Sequence, residues 1–148
     1  MSEKKLREAV ESLRNLTPRL NAVTDLANET VRNVENFLND QLSLGIPACV
    51  LVSAEDDDDD DDDPAGTYLE YRRVGPRFRI AVVVTDSLGR DATIKAWSDC
   101  SRTEKLSTFK KLPELLTKLA TQVAEDILNA EQAAKEVDSL ITVLRTPI

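Results

Sequence analysis

Eight consecutive aspartates, Asp56 to Asp63, form the densest set of ligating oxygens in this chain. Hard cations such as Ca²⁺ and Mg²⁺ take carboxylate oxygens, so the donor type suits them. The spacing does not. A calcium loop sets its carboxylates at alternate positions around a glycine, whereas a homopolymer fixes no geometry. Like charges in a row repel and keep the segment extended. The run therefore reads as a solvated, low-complexity acidic loop over residues 55–66, and no metal site is expected from it. It also explains the net charge. Glu55 and the eight aspartates hold nine negative charges in a chain whose net is −8, so the remainder carries +1.

A second cluster has the opposite sign. Arg72, Arg73, Arg77 and Arg79 flank the dipeptide Gly75-Pro76, between Tyr71 and Phe78. Guanidinium forks match phosphate oxygens, and aromatic rings offer stacking. These four arginines, with Trp97, are the candidate binding residues, and a phosphate-bearing ligand or nucleic acid is what they would take. The local excess is small, however. Nucleic-acid domains carry a broader basic patch and a high pI, so nucleic acid is the less favoured partner. The same arginines also suit the solvent face of a strand pair, where charge discourages edge-to-edge association. Opposite charge on adjoining elements adds one expectation: the acidic loop folds over the arginine hairpin and masks it.

The third segment, Trp97-Ser-Asp-Cys100-Ser-Arg-Thr-Glu104, places a thiol beside an acid and a base. A nucleophilic cysteine needs a lowered pKa and a general base. The chain contains no histidine, which removes the commonest base and the commonest metal ligand together. Ser101 and Glu104 have capping-box spacing, so the segment reads as a strand-to-helix junction. Four isolated glycines make no phosphate loop. No catalytic set, cofactor or metal is expected, and the chain reads as a non-enzyme.

These groups need a scaffold, and hydrophobic periodicity supplies it. Helical spacing runs from Glu3 to Leu44, with Leu6, Val10, Leu13, Leu20, Val23, Ala27, Val31, Val34 and Leu38 on one stripe. Pro18, with Thr17 as its N-cap, predicts either two helices or one kinked helix. Gly45 is the expected stop. Strands follow at 46–54, 67–74, 77–85 and 91–97, the third alternating Phe78, Ile80, Val82 and Val84 against Arg77 and Arg79. Ser87-Leu-Gly89-Arg reads as a turn. Short connections predict an antiparallel meander. A last helix runs from Pro113 to about Arg145, with Leu116, Leu119, Val123, Ile127, Ala130, Ala134, Val137, Ile141 and Leu144 in a heptad-like stripe.

The predicted architecture is one α+β domain over residues 1–148. A four-stranded antiparallel meander is flanked by long N- and C-terminal helices packed on one face of the sheet, and the helices are expected to lie antiparallel to each other. Of the two cysteines, too few for a disulfide framework, Cys49 is expected to be a buried thiol.

A last helix of roughly 48 Å outruns strands of roughly 20–27 Å. Its excess stripe must meet the first helix or a second subunit, so a homodimer is expected. The charged N-terminal segment has no apolar stretch behind it, and no run approaches the ~20 apolar residues of a membrane span. The expected location is therefore cytoplasmic, with no membrane. The resulting expectation is protein–protein association or self-association through helices. At the level of architecture alone, such a helix–sheet–helix dimer resembles secretion chaperones, which implies a chaperone-like or adaptor role.

Overall fold

The computed structural model describes residues 2–54, 65–86 and 90–147. Helix α1 spans Glu3–Asn36 and widens into a π turn at Phe37–Gln41. Strands β1 (Ala48–Ala54), β2 (Gly66–Val74), β3 (Arg77–Thr85) and β4 (Asp91–Ala96) follow. A 3₁₀ turn at Trp97–Asp99 leads to α2 (Arg102–Phe109) and α3 (Leu112–Arg145). The aspartate run and the turn expected at 87–89 lie outside the described residues. Among those described, no helix is long and apolar enough to cross a membrane.

The four strands form one antiparallel sheet in sequence order. Val74 pairs with Arg77, leaving Gly75-Pro76 as a two-residue connection. Gly75 has φ +64, the positive value that a tight hairpin turn with glycine first requires. One sheet face meets the helices. Val50, Leu69, Tyr71, Ile80 and Val82 pack there with Ala27 and Val31 from α1, Leu38 from the π turn and Leu112, Leu115 and Leu119 from α3. The expected α+β architecture is the observed one.

Several local expectations are corrected. Helix α1 runs through Pro18 without a break, so Thr17 is not an N-cap. Its hydroxyl donates instead to the Leu13 carbonyl, while the carbonyl that Pro18 cannot serve lies on an exposed helix open to water. The helix is ended by Ser43 rather than Gly45. Ser43 takes the left-handed conformation, φ 47, and Leu44 N–H then reaches back to Leu38 O at 3.0 Å, closing the end of the π turn. Cys49 on β1, expected to be buried, is only half-buried, whereas Cys100 is buried.

The largest correction concerns helix direction. Glu35 contacts Ile80 and Asn39 contacts Phe78, so α1 runs against β3, toward the Gly75-Pro76 turn. Thr108 of α2 and Lys110 just after it border Ser53 and Thr67 at the opposite end of the sheet. From there α3 runs along β1 and β2, again toward the turn. The two long helices are therefore parallel, with at most slight contact between them. The cause is α2. As a separate element it returns the chain to the far end of the sheet and reverses the direction of everything after it.

Candidate association surface and basic cleft

Helix α1 keeps one heptad phase along its length. Leu6, Leu13 and Leu20 are seven apart and continue as Ala27 and Val34. The second half of this stripe is core, where Ala27 is fully buried. The first half is bare: Leu6 is 53% exposed, Leu13 63% and Leu20 39%. Every described residue before Thr24 is exposed. The N-terminal half of α1 thus overhangs the sheet with a leucine stripe and no partner among the described residues. Fully burying such a side chain is worth about 1.5–3 kcal/mol, and most of a helix's stability in a protein comes from packing its apolar face.

Helix α3 repeats the arrangement at its other end. Leu116, Val123, Ala130, Val137 and Leu144 are seven apart. Leu115 and Leu119 are buried on the sheet, but from Ala124 onward only Asp126 is even half-buried, and Val137 and Leu144 are 52% and 74% exposed. Because the helices are parallel, the overhangs leave opposite ends of the sheet. They are close in length, residues 3–23 and 124–145, each roughly 32 Å at 1.5 Å per residue. Their charges are opposite. The α1 overhang has five basic residues (Lys4, Lys5, Arg7, Arg14, Arg19) against Glu3, Glu8 and Glu11. The α3 overhang has five acidic residues (Glu125, Asp126, Glu131, Glu136, Asp138) against Lys135 and Arg145.

Between α1 and the sheet, polar side chains finish the edge of β3. Strand β4 pairs with β3 only from Ala81 onward, which leaves the backbone of Phe78 and Ile80 open on that side. The Glu35 carboxylate accepts Ile80 N–H at 2.8 Å, and Asn39 Nδ2 donates to Phe78 O at 2.8 Å. Tyr71 Oη donates in turn to Asn39 Oδ1. Burial and the charge of Glu35 push the Tyr71 phenol pKa up.

The arginines of the hairpin do not form one pole. Arg72 lies opposite Arg79 across the strand pair and has Glu70 at 3.6 Å. Arg73 is opposite Phe78, with its guanidinium 5.9 Å from the ring centre. Arg77 is exposed beside the turn. Arg79 alone turns round the β3 edge, donating to Ser98 Oγ at 2.7 Å and lying 3.9 Å from Glu35. There it joins Trp97. Asn28, Arg32 and Glu35 of α1, Arg79 of β3, Trp97 and Ser98 of the 3₁₀ turn, and Lys105 of α2 surround a cleft of about 270 Å³. Trp97 is buried, with Nε1 donating to Thr108 Oγ1 at 3.0 Å. The Lys105 ammonium sits 5.1 Å from the Trp97 ring centre and donates to Asn28 Oδ1 at 2.9 Å.

The junction thiol is not set up for attack. Burial, reinforced by the charge of Glu104, pushes the Cys100 pKa up and keeps it protonated. The neighbouring motif does its structural work: Glu104 N–H donates to Ser101 Oγ, and Ser101 N–H to Glu104 Oε1, both at 3.2 Å.

Sequence reasoning missed Asn28, Arg32, Glu35, Asn39 and Lys105. A signal existed for the first four. They recur at spacings of four, three and four, forming a polar stripe beside the apolar one. Lys105 had none, because its place depends on how α2 packs. The chain matches no protein-family model, no curated protein and no solved structure.

Proposed function

We propose that this chain works by association rather than catalysis, as an adaptor-like module whose pairing surfaces are the overhanging halves of α1 and α3, with a second copy of the chain as occupant. One observation carries the reading. Leu6, Leu13 and Leu20 continue the phase of a stripe that is core further along the same helix, yet they stand in solvent. A stripe of that kind marks a surface made for another helix.

The identity of the occupant follows from charge, length and direction. Pairing α1 with α1 would set two net positive overhangs together, and α3 with α3 two net negative ones. Pairing α1 of one copy with α3 of the other joins opposite charges along equal lengths. In a two-fold dimer the copies lie head to foot. Each α1 overhang then runs antiparallel to the partner's α3 overhang, and the two identical seams leave neither stripe uncovered. Two unbridged cysteines suit a reducing compartment, the cytoplasm in this reading.

Light scattering after gel filtration tests it. The expected result is a dimer, converted to a folded monomer by Leu13→Glu with Leu20→Glu and equally by Val137→Glu with Ile141→Glu. A monomer at all accessible concentrations overturns self-association. A ladder of larger oligomers overturns the closed two-fold arrangement.

A further inference from the structure

We propose that the cleft between α1, β3 and α2 binds the phosphate group of a small phosphomonoester. The inference is independent of the helix overhangs, since the cleft lies against the sheet.

The cleft is rich in donors and poor in acceptors. Three cations from three elements, Arg32, Arg79 and Lys105, border it with one carboxylate, Glu35. That carboxylate is already committed to Ile80 N–H at 2.8 Å. Arg79 Nε is buried and has no hydrogen-bond acceptor. Lys105 bonds a neutral amide oxygen and faces an aromatic ring. Arg32 makes no ion pair among the described residues. A buried donor without an acceptor, as Arg79 Nε is, is costly, and an anion's oxygens would supply it, with the exposed Arg32 and the half-buried Lys105 beside it.

Charge and size select the anion. The cleft carries a formal net charge of +2, which a phosphomonoester of about −1.5 to −2 at neutral pH matches and a single carboxylate does not. The volume of about 270 Å³ is below the ~300–1,000 Å³ of pockets that enclose whole ligands. It suits a terminal phosphate whose organic part stays outside. Arginine forks supply the directional contacts and Lys105 a mobile point charge. This site shares only Arg79 with the arginine hairpin.

The protein carries its own reporter. Trp97 is the only tryptophan, and its ring faces the Lys105 ammonium that an anion would draw away. Inorganic phosphate is titrated into the full chain at constant ionic strength, with chloride and acetate as comparison anions, while Trp97 emission is followed. The expected result is a saturable change with phosphate alone, and a roughly tenfold weaker affinity in Arg32→Gln. Lys105→Gln perturbs the reporter itself, so its loss of binding is read by calorimetry, with circular dichroism confirming the fold. No saturable change up to tens of millimolar phosphate overturns the proposal. So does an equal response to acetate, or an Arg32→Gln protein that binds as the parent does.

Discussion

The Glu35 carboxylate accepts the backbone N–H of Ile80 at 2.8 Å, the hydrogen bond that a longer β4 would otherwise have made. With Asn39 on Phe78 O one helical turn later, α1 uses two side chains as a substitute strand. They satisfy a sheet edge that would otherwise pair with another chain.

Removing the acceptor at this position is expected to be costly. Glu35→Ala leaves a buried N–H unpaired, a loss of about 1–3 kcal/mol. Glu35→Gln keeps an acceptor oxygen and should lose clearly less. Urea unfolding of the two variants measures the difference, and equal losses would mean that the hydrogen bond is not what matters.

The pairing of unlike overhangs predicts a charge-swap result. Arg14→Glu with Arg19→Glu should weaken the dimer, and so should Glu131→Lys with Asp138→Lys. Mixing the two variants should restore association in the form of heterodimers. Raising salt from 0.05 to about 0.5 M should weaken the parent dimer as screening shortens the range of attraction. Weakening of both variants followed by restoration on mixing points to an α1–α3 seam; if either variant dimerises with itself as well as the parent does, the seam lies elsewhere.

Alkaline pH is expected to unfold the domain earlier than neutral pH. Burial, then Glu104, raises the Cys100 thiol above its ordinary 9.0. Burial, then Glu35, raises the Tyr71 phenol above 10.0. Both groups are neutral when protonated, and the folded state holds these protons more tightly than the unfolded chain. The contribution is therefore complete below pH 9.0 and is lost as pH rises through the raised values. Stability followed from pH 7 to about 11 should fall on that limb, and less steeply in Cys100→Ala. A flat profile would contradict the burial-driven shifts.

Pro18 is tolerated inside α1 at a cost. Proline in a helix interior removes one hydrogen bond and costs about 3 kcal/mol relative to alanine. Pro18→Ala should raise helical circular dichroism and tighten the dimer, because it stiffens the overhang that the seam uses. Unchanged or lower helicity in that variant would contradict a cost of Pro18 to the helix.

What the residues determined alone was local. Alternation of Phe78, Ile80 and Val82 fixed a strand, Gly75-Pro76 its hairpin, and Ser101 with Glu104 a helix start. Each is set within a few residues by backbone sterics or a short-range hydrogen bond. The excess length of α3 was also legible, because rise per residue is a constant of the helix.

The tertiary structure decided the rest. It made α2 a separate returning element, so α1 and α3 are parallel and their stripes emerge at opposite ends. It divided the α1 stripe into a buried half and a bare half, a distinction that periodicity cannot carry because both halves share one phase. It sent Arg79 round the β3 edge to Trp97 and left Arg72, Arg73 and Arg77 behind, because cross-strand register, not closeness in sequence, sets where each arginine lies.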